Sequence, residues 1–210
     1  MDLSALADGL RGALDAKTEA RERGLAASRN AIRACGNAIR ALHRYEVNSA
    51  TELLNDAQAQ LDSARSALSE HRDMLYAGFV HDAEKELAEA RITFALVTDA
   101  PFPTVEDVGV PPSAFLKGMA ESIGEMRRHI LDLMRQGELK RCEELLRAMD
   151  DMYYVLVSMD YPDGITLGLR RLTDVARSIL ERTRGDFTIS KIQTSLRDSI
   201  EEHANKLNPS

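Results

Sequence analysis

The stretch SAFLKGMAESIGEMRRHILDL, Ser113 to Leu133, settles the fold class. Its apolar stripe is Phe115, Met119, Ile123, Met126, Ile130 and Leu133, separated by four, four, three, four and three positions. That spacing follows the 3.6-residue period of an α-helix and puts all six on one face. No β-branched run or alternation competes with it, and Pro111 and Pro112 stand where a helix can begin but not continue.

The same period recurs on both sides of this stretch. Leu25, Ile32, Ile39 and Leu42 mark a first helix over about Leu3 to Arg44, in which Gly24 and Gly36 predict a bend or a split. Asn48 or Ser49 reads as an N-cap, with Glu52 at the spacing of a capping box after Ser49, opening a second helix that runs to about Arg72 with Leu53, Leu54, Leu61, Ala64 and Leu68 inward. A third spans about Asp73 to Val97, with Tyr76, Val80, Ala83, Leu87, Ala90, Phe94 and Val97 as its stripe. The loop TDAPFPTVEDVGVPPS holds four of the six prolines and reads as a surface crossover within one domain. After the quoted helix, Gly137 gives a stop, and a fifth helix covers Leu139 to Ser158. YPDG, Tyr161 to Gly164, reads as a turn in which glycine supplies positive φ. A sixth helix follows over about Ile165 to Arg184, closed by Gly185, and a seventh ends near Asn205.

The expectation is an all-α, seven-helix antiparallel bundle forming a single domain over residues 1–210. Composition agrees: 44% hydrophobic, 29% charged, 5% aromatic, no tryptophan, and rich in Ala, Leu, Glu and Arg, which lose little side-chain freedom in helices. No run reaches the roughly 20 apolar residues of a membrane span, and no signal-peptide pattern opens the chain, so no membrane partner and a cytoplasmic location are expected. Cys35 and Cys142 give neither a disulfide framework nor metal-ligand spacing and read as buried small hydrophobes. His43, His71, His81 and His129 are scattered, read as mostly surface residues, and carry no assigned role.

The net charge of −7 is unevenly placed: residues 11–44 carry +5, leaving −12 for the remainder. Within that basic segment Arg29, Arg33, Arg40 and Arg44 fall on one helical stripe that could follow a phosphate backbone; a solvated basic face is the bland alternative. Glu86 and Glu89 are three apart on the third helix, and Glu121 and Glu125 four apart on the fourth. Gly118, one turn before Glu121, would let another chain segment approach closely. If these helices pack together, four carboxylates converge, and their mutual repulsion calls for a shared proton or a hard cation such as Mg²⁺ or Mn²⁺. The bland alternative is a pair of solvated acidic faces, with Glu125 and Arg128 as an ordinary surface ion pair.

FLKGMAESIGEMRR, Phe115 to Arg128, resembles a helix of the translin family, in particular its translin-associated factor X (Trax) branch. There an aromatic-Leu-x-Gly run precedes acidic-x-x-Gly-Glu and arginine. KELAEA, Lys85 to Ala90, resembles the acidic helix that precedes it, and similarity continues through GELKRCEELLRAMDDMYYVL to the Arg-Gly pair of TRGD. The resemblance runs from about Arg21 to Gly185. It implies the translin-type bundle, an acidic ribonuclease site at Glu86, Glu89, Glu121 and Glu125 using Mg²⁺ or Mn²⁺, and a closed homo-oligomeric shell, an octamer, that binds single-stranded RNA and also single-stranded DNA. Glu121 departs from the aspartate expected at its position. The implied function is a metal-dependent endoribonuclease acting on single-stranded RNA; the alternatives are a non-catalytic single-stranded RNA/DNA-binding oligomer and a helical metal-binding regulator of another kind.

Overall fold

The computed structural model describes residues 3–207. Among these the chain is all-helical, without strands. The elements are α1 (Ser4–His43), α2 (Val47–Ala67), α3 (Arg72–Leu75), α4 (Gly78–Thr98), α5 (Val105–Val108), α6 (Pro112–Gln136), α7 (Leu139–Ser158), α8 (Asp163–Thr166) and α9 (Leu169–Leu207). Three of them are single turns, so six long helices carry the fold. The chain divides into two compact units, Met1–Met119 and Ala120–Ser210, the division falling inside the unbroken helix α6.

In the first unit α1, α2 and α4 pack together. The buried face of α1 is a seam of small residues, Ala20, Gly24, Ala27, Ala31, Ala34, Ala38 and Ala41, spaced by three or four. Small side chains at that spacing let helices approach closely along a shared seam. At one end, a Cβ on Gly24 would meet Leu68 Cγ at 2.8 Å; at the other, Ala41 and Leu42 cluster with Ala50, Leu53, Phe94 and Val97. These contacts make α2 antiparallel to α1 and α4 parallel to it. Arg65 on α2 donates to the Glu84 carboxylate on α4 at 2.7 Å and to the Gly109 carbonyl at 2.9 Å, pinning the proline-rich crossover to the helices. In that crossover α5 is capped reciprocally by Thr104 and Asp107.

In the second unit α6, α7 and α9 form a similar set. Ser122 Oγ lies 3.8 Å from Met152 Sδ, and Cys142 Sγ 3.6 Å from the Ile130 carbonyl, making α6 and α7 antiparallel. Arg127 donates to Thr183 Oγ1 at 3.2 Å and Asp186 at 2.8 Å, and Arg184 pairs with Asp150, which place α9 antiparallel to α7 and parallel to α6.

Several boundaries differ from the sequence reading. α1 is one continuous helix of 40 residues, because Gly24 and Gly36 keep helical backbone in a helix whose other residues carry the ladder. Ser49 does not cap α2. Tyr45 adopts φ 62° and the Glu46 amide donates to the Ala41 carbonyl, so the chain turns sharply and re-enters helix at Val47, leaving Ser49 inside the first turn. Asp99 and Gly137 end α4 and α6 by the same left-handed device. The third helix is broken near Ala77 into α3 and α4, and Tyr76 is exposed rather than part of the apolar stripe. Gly164 lies inside α8, and the positive φ falls on Leu167 and Gly168. Gly185 does not stop a helix: α9 runs through it for 39 residues, because buried Phe187 and the Lys191–Glu143 pair at 3.3 Å hold the next turns onto the second unit. The expected sixth and seventh helices are therefore one.

Candidate metal centre

The acidic site is built by a close approach of α4 and α6. Gly118 sits where a Cβ would lie 2.6 Å from the Lys85 carbonyl oxygen, 2.7 Å from Ala88 Cβ and 2.7 Å from the Glu89 amide nitrogen. Glycine is the residue that permits backbone-to-backbone contact at this point. Helix α6 continues unbroken, so Glu121 stands one turn beyond the contact on the same rod. Glu86, Glu89 and Glu121 each offer a carboxylate oxygen within 4.8 Å of the others. Glu125, the fourth expected member, is not part of this trio; it is half-buried one turn further along α6.

The trio sits in restricted surroundings. Glu89 is 9% exposed, and Glu86 lies 3.1 Å from Lys85 Nζ. Cys35 of α1 is fully buried nearby: burial pushes its thiol up to about 12, with Glu86 and Glu89 adding to the rise and Arg91 opposing it. Sequence reading predicts both cysteines as buried, and they are; it misses Cys35 as a neighbour of the carboxylates, since helix packing alone brings it there. Lys85 is likewise missed, although its place beside Glu86 in the chain is a visible signal. His81 is held below its usual value by burial first and by Lys117 next. His129 is 4% exposed, an exception to the mostly surface placement expected of the histidines, because it faces the buried side of α6 with Met126 and Ile130.

The donor set fits a hard divalent cation. All three ligands are carboxylate oxygens, and metal–oxygen bonds of about 2.1 Å need only modest side-chain adjustment from the observed spacing. Glu86, Glu89 and Glu121 are therefore the residues that could hold Mg²⁺ or Mn²⁺.

The basic stripe on α1 is exposed throughout: Arg29, Arg33, Arg40 and Arg44 all face solvent. Arg40 folds over Gly36, its guanidinium 3.7 Å from where a Cβ would stand, and bonds Asn37; Arg44 pairs with Glu46 at 3.1 Å. The Glu125–Arg128 ion pair of the bland alternative is not formed: Arg128 is exposed and makes no ion pair among the described residues.

Fold and site together define an all-helical protein that gathers carboxylates from two helices joined by a glycine contact. Its relatives give that class a name. AfC3PO is 30% identical, with a match covering 89% of this chain and 97% of AfC3PO, at TM-score 0.81 in its crystal structure and 0.80 in its complex with duplex RNA. This chain belongs to the translin/C3PO family. Apo-NeC3PO, 16% identical, shares the fold at TM-score 0.80 over 90% of this chain and 99% of that one. An uncharacterized protein of Methanocaldococcus jannaschii is 27% identical over 186 residues, 88% of this chain and 82% of that protein. No family model matches the sequence. Among the described residues, no helix is long and apolar enough to cross a membrane.

Proposed function

We propose that this chain is an RNA-binding endoribonuclease of the catalytic, Trax-like kind, assembled as a closed homo-oligomer and using Mg²⁺ or Mn²⁺. The observation that carries the reading is the convergence of Glu86, Glu89 and Glu121 within 4.8 Å. Three carboxylates so close, one of them nearly buried, repel one another unless a cation is shared. A divalent ion held there supplies Lewis acidity and a water acidic enough to act as nucleophile at neutral pH. Glu86, Glu89 and Glu121 would hold the ion, and Glu125, one turn further along α6, would complete the acidic site. Arg29, Arg33, Arg40 and Arg44 attract the phosphate backbone to an otherwise acidic protein. RNA is the expected polymer because AfC3PO, similar over nearly its whole length, is bound to RNA in its complex. Single-stranded RNA is the proposed substrate, with single-stranded DNA as a second ligand, and the cytoplasm is the proposed location.

Assembly is supported by two apolar stripes that the units leave uncovered. Leu3, Leu6, Leu10 and Leu14 on and beside α1 and Ile189, Ile192, Leu196 and Ile200 on α9 are all more than half exposed. Bare stripes of this kind mark contact surfaces, in keeping with a closed octamer.

The test uses labelled single-stranded and duplex RNA with wild type, Glu89→Gln and Glu121→Gln, with Mg²⁺, Mn²⁺ or EDTA. Wild type should cleave only with metal, and each variant should lose at least about 100-fold in rate while RNA binding is kept. Binding without cleavage under every metal condition would establish the non-catalytic oligomer instead.

A further inference from the structure

Beyond the acidic trio, α6 carries a second feature on the same face. Glu121, Gly124, Arg128, Leu131 and Arg135 are separated by three, four, three and four positions, so they form one stripe along the helix. Gly124, Arg127, Arg128, Leu131, Asp132 and Arg135 line an open groove of about 480 Å³ in the second unit. Its floor is bare for a reason other than packing: a Cβ on Gly124 would meet only Ile179 Cδ1, at an ordinary 3.8 Å. Arg127 is committed to Thr183 and Asp186 on α9. Arg135 is loosely paired with Asp132 at 3.3 Å and is largely exposed, and Arg128 is exposed with no ion pair among the described residues. Two cations are thus available along a groove that begins one turn after Glu121. At about 1.5 Å rise per residue they lie roughly 10 and 20 Å further along the helix axis.

We propose that this groove is a phosphate-binding lane for the RNA strand adjoining the acidic centre, with Arg128 and Arg135 as its backbone contacts. The proposal rests on the RNA-cleaving reading above. The two guanidiniums, each able to take a phosphate in a fork, stand along a straight helix face rather than at one point, which suits a polyanion better than a single small anion. Leu131 between them offers an apolar patch for a sugar or base face, with no donor to read sequence, so the lane grips without selecting. Its cations stand on the helix that carries Glu121, where a polyanion approaching the carboxylates meets compensating charge.

The test measures binding of a fluorescein-labelled oligouridylate by the full-length protein as KCl is raised. The proteins are wild type, Arg128→Ala/Arg135→Ala, Arg128→Lys/Arg135→Lys, and a charge-matched control on α9, Arg171→Ala/Arg182→Ala. Removing two phosphate contacts should reduce the slope of log K against log[salt] by about 1.4. The control should leave the slope unchanged, and the lysine variant should restore most of it. Oligomer mass and helicity, measured on each protein, should be unaltered. A wild-type slope retained in the alanine variant, or an equal loss in the control, overturns the lane while leaving RNA binding standing. Equal arginine-dependent capture of a polyglutamate peptide overturns its assignment to a nucleic-acid backbone. Failure of wild type to bind RNA at low salt overturns the ribonuclease reading and the lane together.

Discussion

Gly118 and Gly124 lie in the same helix, six positions apart, and should answer one substitution in opposite directions. Replacing a helix-interior glycine with alanine favours the helix by about 1 kcal/mol, since less backbone freedom is lost on folding. At Gly124 nothing opposes that gain: the new Cβ would sit 3.8 Å from Ile179 Cδ1. At Gly118 it would fall 2.6 Å from the Lys85 carbonyl oxygen and 2.7 Å from both Ala88 Cβ and the Glu89 nitrogen. Two of those atoms are backbone and cannot swing aside. Overpacking costs about 1–3 kcal/mol, and fixed backbone puts this case near the top of that range. Gly118→Ala should therefore destabilise by about 2 kcal/mol, and Gly124→Ala stabilise by about 1. With a urea slope near 2 kcal/mol/M the two midpoints should lie roughly 1.5 M apart, on opposite sides of wild type. Circular dichroism at fixed urea steps reads this directly. A Gly118→Ala midpoint at or above wild type would refute the claim that α4 and α6 meet backbone to backbone.

Three more variants probe other parts of the molecule. Arg65→Ala strips the partner from Glu84, which is 8% exposed, and should cost roughly 3 kcal/mol in urea unfolding. A loss near zero would show that the pair is ornamental. Burial raises Cys35 to about 12 and Cys142 to about 11, so both thiols stay protonated in the fold while the unfolded chain ionises near 9. The unfolded state then binds fewer protons, and stability should fall as pH rises from about 9, the slope easing in Cys35→Ala; a flat urea midpoint across that window would contradict it. Ile192→Glu/Leu196→Glu places charges on the bare α9 stripe and should lower the assembly mass measured by light scattering, with helicity retained. An unchanged mass would remove that stripe from any interface.

The helices were legible because their period is. Ser113 to Leu133 announced a helix, and α6 spans Pro112–Gln136. What the sequence concealed was mostly a matter of glycine and of caps. Gly185 carries the same local signal as Gly137, yet only Gly137 has the positive φ that ends a helix. The difference lies two residues beyond Gly185: Phe187 has a buried place to reach if the helix continues, a tertiary fact absent from local composition. Tyr45 hides in the same way, since a bulky residue at φ 62° is held by hydrogen bonds back to Ala41 and Leu42 rather than by its own preference. The acidic pairs were visible as pairs. That Glu121 joins Glu86 and Glu89 while Glu125 stands outside the trio depends on helix rotation, which spacing leaves open.

That rotation bears on why the centre calls for a cation at all. Spacing alone is equally compatible with glutamates on solvated faces, where water would screen them. The structure instead leaves Glu89 only 9% exposed and brings a carboxylate oxygen from each of Glu86, Glu89 and Glu121 within 4.8 Å of the others. Burial and mutual repulsion both cost energy in such a cluster. Another glutamate on the same helix is placed differently. Glu84 has a fixed guanidinium partner in Arg65 and belongs to the architecture. Glu89 sits at a glycine contact that brings a second acidic helix, and with it Glu121, toward the two carboxylates of α4. A divalent ion would find three hard oxygen ligands there, which is the physical reason to propose Glu86, Glu89 and Glu121 as the site rather than the many other acidic pairs on the surface.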